Sequence, residues 1–382
     1  MKICHVITRM IVGGAQENTL LTIESHLAKG HEVVLVTGPS PGPEGELLRK
    51  REVPDFEVVV NQHLVREINP YHDLMAYRTL LKFFRERSFD VVHTHSSKAG
   101  IIGRAAAWKA GVPFVAHTVH GQAFHSYEKP WKNFIYKVSE KWAAKRCHRI
   151  YAVAQAMIDQ CLKAGIAPES KYMVVYSGMD LDSFVAAKAD SNLKKQLGIP
   201  ENRKVIGAIA RLFPLKGYEF FIPAAVEIAK KFPDTHFLAV GDGPMREELE
   251  KQIRTSGLEG RFSFAGLVAP GEIPRYTAIM DVLMHLSLRE GLPRSVVQAL
   301  AAGKPAIGFA LDGTPEAIIN GKTGFTAPAE DSHAAAEAVL KILSDDTLAA
   351  ELGKNGRIHA ISRWDWKNMG EILEKDYRDG LK

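Results

Sequence analysis

Two cations, Arg211 and Lys216, directly follow a β-branched run in the second half of the chain, within Arg211-Leu212-Phe213-Pro214-Leu215-Lys216-Gly217. At the carboxyl end of a parallel strand and ahead of a helix, they stand where open α/β sheets bind ligands. Fixed positive charge there can neutralise a diphosphate. A leaving diphosphate gathers negative charge as its bond to a sugar breaks, so such cations stabilise the transition state more than the ground state. Two solvated surface charges would give the same pattern. Further along, Glu290-Gly291-Leu292-Pro293 leads into an apolar-periodic segment that contains Gln298 and ends at Ala302-Gly303. Pro293 suits a first helical position, leaving the Gly291 and Leu292 N–H groups near the helix mouth with Glu290 just before it. A carboxylate among free amides can grip sugar hydroxyls; one that only complements the helix dipole would look alike.

The first half holds its own candidates. Gly13-Gly14 sits between a strand and an apolar-periodic helix over Asn18 to Lys29, a place where backbone N–H groups can approach an anion. It is not the G-x-G-x-x-G fingerprint, and an ordinary tight turn would also use two glycines. His93 and His95, two apart at a strand end, point to one face, and His117, His120 and His125 follow the next strand. The spacing lacks an H-E-x-x-H helix and a further thiolate or carboxylate ligand, which argues against zinc and for His120 as a polar cleft group. Asp180-Leu181-Asp182 could hold a divalent ion, but it falls where Asx turns are the ordinary use of aspartate. The expectation is therefore no metal and no cofactor, with Arg211, Lys216 and helix N-termini carrying the phosphate charge.

These residues need a scaffold that brings strand ends together. At 382 residues the chain suits two α/β domains, and its 46% hydrophobic and 24% charged content is that of soluble globular proteins. The three cysteines lack metal or redox spacing, which suits a reducing cytoplasm. No apolar run approaches a membrane span. Short β-branched runs alternate with helical patterns, predicting parallel sheets with strands at Lys2 to Thr8, Glu32 to Thr37, Phe56 to Val60, Val91 to Thr94, Phe114 to Thr118 and Arg149 to Val153. The pattern restarts with Val205 to Ala210, His236 to Gly241, Arg261 to Phe264, Val282 to Leu286, Pro305 to Phe309 and Gly324 to Thr326. A turn-rich stretch from Tyr176 to Phe184 marks the join. The expected domains are 1–180 and 181–362, followed by an amphipathic helix from Trp364 to Leu381, within 363–382, that needs a partner surface.

The net charge of +5 does not by itself select a partner. In the segment 129–149, Lys129, Lys132, Lys137, Lys141, Lys145, Arg146 and Arg149 stand against the single acid Glu140, with Trp131, Phe134, Ile135, Tyr136, Val138 and Trp142 between them. A basic helix with interfacial aromatics can lie on an anionic membrane; a solvated helix packed on a sheet has similar composition. Nucleic acid is not expected, because no recognised motif accompanies the charge.

As a set, these motifs resemble glycosyltransferase family 4, the retaining enzymes of the two-domain GT-B fold. The resemblance spans essentially the whole chain and rests on Glu290-Gly291-Leu292-Pro293 through Ala301-Ala302-Gly303-Lys304-Pro305, on Gly313-Thr314-Pro315-Glu316 and Gly321-Lys322-Thr323-Gly324-Phe325, and on Arg211, Lys216-Gly217 and Gly241-Asp242-Gly243-Pro244 in order. The stretches His93 to Arg104 and Val115 to Gly121 are similar to enzymes of capsule, lipopolysaccharide and exopolysaccharide assembly, whose acceptors are usually polyprenyl-diphosphate-linked sugars. The resemblance implies two Rossmann-like domains facing across a cleft, the N-terminal one for the acceptor and the C-terminal one for the nucleotide sugar, with the last helix crossing back. It implies an acceptor that is a glycan or a polyprenyl-diphosphate-linked sugar, and a donor, a UDP-sugar by expectation, held by Arg211, Lys216, Gly241, Glu290, Gly291, Leu292, Gln298 and Gly14. His120, Glu290, Arg211 and Lys216 would be catalytic, and His93, His95 and Lys98 would line the acceptor side of the cleft. The expected location is the cytoplasm, peripheral on the inner face of the cell membrane.

One position departs from the family pattern, which usually has a second Glu where this chain has Gln298. An amide can still bond both ribose hydroxyls, without the charge-assisted strength of a carboxylate, worth roughly 1 kcal/mol more. A nucleotide-sugar 2-epimerase would use a similar cleft, but the Glu290 and Arg211/Lys216 set speaks against it. A non-catalytic nucleotide-sugar-binding subunit is the other alternative, for which Gln298 is the hint.

Overall fold

The computed structural model describes residues 1–11, 13–40 and 56–382. They form two compact units, Met1–Met179 with Trp366–Lys382, and Asp180–Asp365.

In the first unit the strands are β1 Lys2–Ile7, β2 Glu32–Thr37, β3 Glu57–Val60, β4 Val91–His95, β5 Phe114–Val119, β6 Arg149–Ala152 and β7 Tyr172–Val174. They pair in parallel in the order β3-β2-β1-β4-β5-β6-β7. The central strands are buried on both faces, which is why they read as near-continuous apolar runs. β7 escapes the sequence pattern because it has only three residues, too few to show a period. In the second unit the strands are β8 Lys204–Ile209, β9 Thr235–Val240, β10 Phe262–Gly266, β11 Val282–His285, β12 Ala306–Phe309 and β13 Gly324–Ala327. They also run parallel, in the order β10-β9-β8-β11-β12-β13. Each sheet reverses its winding once, between β1 and β4 and between β8 and β11. Such switch points open a crevice at the carboxyl ends of the strands.

The expected last helix is present and begins two residues later than its apolar pattern indicates. Asp365 is extended and separates the helix Asp346–Trp364 from a last helix, Trp366–Gly380. That last helix belongs to the first unit. Met369, Leu373 and Tyr377 pack with Ile3, Leu21, Val91, Phe114 and Tyr151, while Ile372 faces solvent. Gly370 lets it approach the first helix closely, since a Cβ there would fall 1.8 Å from Ser25 Oγ. Polar bonds fix the register: Arg149 Nε and Nη2 each donate to the Asp376 carboxylate at 3.1 Å, and Tyr151 donates to it at 2.7 Å. The first helix itself runs Gly14–Ala28, one turn earlier than the apolar periodicity indicates.

Candidate functional site

In the second unit the candidate residues gather at the β8/β11 switch point. The loop after β8 carries Arg211 and Lys216; the loop after β11 carries Glu290, Gly291 and Leu292. Backbone contact stitches the two together. Leu288 donates its N–H to the Leu215 carbonyl at 3.0 Å, and Ser287 Oγ donates to the same carbonyl at 3.0 Å. Gly217 has a φ of 85°, and a Cβ there would lie 2.1 Å from the Leu286 carbonyl oxygen, so no other residue permits this approach. Gly241 serves the next strand similarly, at φ 140° with its missing Cβ 2.1 Å from the Ala210 carbonyl oxygen.

The consequence is an ion pair between residues distant in sequence. Lys216 Nζ donates to Glu290 Oε1 at 2.6 Å, with both side chains largely buried. Burial alone would push the Glu290 carboxyl up, but the Lys216 ammonium and the neighbouring His285 hold it below the usual carboxylate range. Arg211 is exposed and lies over the Phe213 ring at 4.9 Å. Gly291 and Leu292 are buried at the helix mouth, and Pro293 caps the helix Arg294–Ala301 rather than opening it. Gln298 sits half-buried on that helix, eight positions after Glu290 in the chain. A cation and a carboxylate side by side, with helix amides close, can hold a phosphate and a sugar hydroxyl at once.

Two further residues shape this site without having drawn notice in the sequence. Asp312, at a left-handed φ of 49°, accepts the Glu290 N–H at 2.9 Å and so anchors the loop. His285 is buried beneath Glu290, with Nε2 3.6 Å from Oε1 and Nδ1 against Ser295 Oγ at 3.3 Å. Burial lowers its pKa to about 4, so it is neutral at pH 7. Its place at the end of β11 was the signal available.

In the first unit the candidates gather at the other switch point. Gly14 opens its helix just beyond β1. His93 and His95 lie on β4 with ring centroids 4.2 Å apart, and His95 Nδ1 is 3.1 Å from His120 Nε2, just after β5. Lys98 does not join them. It turns to Asp73 Oδ1 at 2.6 Å and to the Glu67 carbonyl. His117 bonds to Thr94, and His125 sits on the following loop beside Tyr127. One ring nitrogen from each of His5, His93 and His95 lies within 4.8 Å of the other two, a separation open to a metal ion. Yet both nitrogens of each ring have hydrogen-bond partners: His26 and His95 for His5, Tyr377 and Thr118 for His93, and His5 and His120 for His95. A metal would have to displace those bonds. Asp180 Oδ1 accepts the Asp182 N–H at 3.4 Å, the Asx-type use of that pair.

Known proteins place the chain in a family. The model of glycosyl transferases group 1 matches residues 190–359, and that of glycosyltransferase family 4 matches residues 12–183. The UDP-Gal:alpha-D-GlcNAc-diphosphoundecaprenol alpha-1,3-galactosyltransferase of Escherichia coli is 31% identical over 386 residues, 99% of this chain and 97% of that protein. The chain belongs to glycosyltransferase family 4. This glycosyltransferase is also 26% identical to the capsular polysaccharide biosynthesis glycosyltransferase CapM of Staphylococcus aureus, over 86% of this chain and 87% of that one. Its fold is GT-B: the structure of Anabaena Alr3699/HepE in complex with UDP-glucose superposes with a TM-score of 0.83 at 24% identity, covering 99% of this chain and 100% of that one. Sucrose-phosphate synthase from Thermosynechococcus elongatus gives 0.83 at 19% identity, with 99% coverage of both. The two switch points therefore lie one in each of a glycosyltransferase's two Rossmann-like domains.

Proposed function

We propose that this glycosyltransferase moves a sugar from a UDP-sugar, with retention of anomeric configuration and without a metal ion, to a polyprenyl-diphosphate-linked sugar during surface polysaccharide assembly. The Lys216–Glu290 pair at 2.6 Å carries the proposal. It sets a phosphate-binding cation next to a carboxylate suited to sugar hydroxyls at the switch point of the second unit. Arg211 adds exposed positive charge on the loop that also carries Lys216. Support for the nucleotide comes from HepE, solved with UDP-glucose, and support for donor and acceptor from the E. coli relative, which uses UDP-Gal and a diphosphoundecaprenol-linked sugar. In this proposal Lys216, Arg211, Gly14 and Gly241 face the diphosphate, and Glu290, Gly291 and Leu292 the donor sugar. Gln298 holds the ribose, His120 lines the reacting centre, and His93 and His95 support it. Attack occurs on the face the nucleotide leaves, through an oxocarbenium-like state.

The decisive assay measures nucleotide release from UDP-, GDP-, ADP- and dTDP-sugars in excess EDTA with a lipid-linked acceptor extract. Release from one donor, dependent on extract, is expected, with the product anomer matching the donor by NMR. Lys216→Ala is expected to lower the rate by roughly 10²–10³, the scale for removing one preorganised charge stabiliser. Nucleotide binding without release from any donor would favour the non-catalytic subunit instead.

The helix Pro130–Ala144 supports action at an anionic membrane. Of its residues only Ala143 and Ala144 are buried, whereas Trp131, Phe134 and Val138 are 60%, 69% and 50% exposed among Lys132, Lys137 and Lys141. Among the described residues no helix is long and apolar enough to cross a membrane. Changing all three lysines to Glu is expected to weaken co-sedimentation with anionic liposomes by at least roughly 100-fold, at about 1 kcal/mol per lysine. Binding that survives the change would remove this helix as the contact.

A further inference from the structure

Behind His120 and His95, the core of the first unit contains further imidazoles, those of His5 and His26, to which the proposed transfer gives no part. His5 on β1, His26 in the last turn of the first helix and His95 on β4 are all fully buried. They connect in series. His26 Nδ1 is 3.3 Å from His5 Nε2, His5 Nδ1 is 3.0 Å from His95 Nε2, and His95 Nδ1 is 3.1 Å from His120 Nε2. The switch-point topology makes this possible, because β1 and β4 are neighbours with His5 in register with His93. Burial lowers the pKa of each inner ring, that of His5 to about 3 and those of His26 and His95 well below the ordinary value.

A neutral imidazole has one N–H donor and one acceptor nitrogen. Rings linked nitrogen to nitrogen can therefore point their N–H groups in only two ways, all toward His120 or all away from it. The far end separates the two. Among the described residues, His26 Nε2 is buried with no hydrogen-bond partner. Pointing away would place an unpaired N–H there, and orphaned buried N–H groups are the rarer kind of unsatisfied atom. Pointing toward His120 leaves only a lone pair at that position.

We propose that His26, His5 and His95 are positioning residues whose N–H groups all point toward His120, holding it as the Nδ1–H tautomer with Nε2 as acceptor. His120 then meets other groups as a hydrogen-bond donor at Nδ1, suited to a sugar hydroxyl oxygen and not to proton abstraction. Its relevance to transfer rests on the placement of His120 at the reacting centre under Proposed function; the tautomer itself does not. The tautomer follows from which neighbour each nitrogen serves.

The test is a long-range ¹H–¹⁵N correlation spectrum of full-length protein labelled at the histidine nitrogens, with His120 assigned by loss of its signals in His120→Gln. His5, His95 and His120 are all expected to be neutral and Nδ1-protonated. A charged or Nε2-protonated His120 in wild type would overturn the proposal with no further variant. His95→Leu is expected to release His120 to a tautomer mixture and to lower kcat about 10–100-fold with donor KM changed less than about two-fold, the pattern of a lost transition-state contact. His5→Leu should do the same more weakly. His95→Asn, whose amide N–H lies near the original Nδ1, should restore both readouts. Unchanged His120 signals in folded His95→Leu or His5→Leu, or failure of His95→Asn to restore them, would sink it. Wild-type signals as expected, with full activity retained in His120→Gln, would instead remove His120 from the reacting centre.

Discussion

Glu290→Gln is expected to lower kcat/KM for the sugar donor about 10–100-fold while leaving the fold intact. The magnitude is that of one hydrogen bond to a charged group, about 1.5–3 kcal/mol, converted to a rate. The substitution keeps the side chain's shape but removes the charge that pairs with Lys216 Nζ at 2.6 Å. It also removes the acceptor-only carboxylate that suits paired sugar hydroxyls. Because Asp312 holds the Glu290 backbone N–H, the loop stays in place without the side chain's charge. The check is steady-state kinetics on purified protein alongside a thermal melt. Values of kcat/KM within about two-fold of wild type would exclude Glu290 from donor recognition, and a collapsed melt would show that the pair matters for folding instead.

Glu140→Ala is expected to destabilise the first unit by about 3–5 kcal/mol, the scale for breaking a buried ion pair by removing one partner. Arg104 is fully buried, donating from Nε to the Gly100 carbonyl and from Nη2 to Glu140 Oε2, both at 2.7 Å. Without Glu140 its charge is stranded in the core. A unit of this size should melt roughly 10 °C lower. The double change Arg104→Met with Glu140→Leu should recover most of the loss, since a packed apolar pair costs little relative to a buried salt bridge. Calorimetry of the three proteins decides the matter: a loss under about 1 kcal/mol in Glu140→Ala would mean that water already solvates the Arg104 guanidinium.

Glu140 also illustrates how far the sequence can be read. Its isolation among seven cations is visible in the chain, but nothing local says that it faces inward to a buried arginine thirty-six residues earlier. The lysines and aromatics around it have the composition of either a membrane-facing or a sheet-packed helix, and only packing decides which side chains are covered. Here Trp131, Phe134 and Val138 remain exposed, because the helix meets its unit through Tyr136, Glu140, Ala143 and Ala144 on another face. The last helix shows the opposite outcome. Its apolar stripe was legible, yet its docking also depends on Gly370 against the first helix and on Asp376 against β6, whose roles have no period.

By itself the sequence determined what is local. Strand and helix alternation, the glycine-bearing turns after β8 and β9, and the loop entering the helix at Arg294 all follow from backbone preferences over a few residues. Those preferences also locate Arg211, Lys216 and Glu290 at strand ends. The tertiary structure alone decided which strand ends meet. The winding reversals set β8 beside β11 and β1 beside β4, and so pair Lys216 with Glu290 across 74 positions and His5 with His95 across 90. Burial then sets the charge of those groups, since desolvation is a property of the packed core and has no signature in the order of residues.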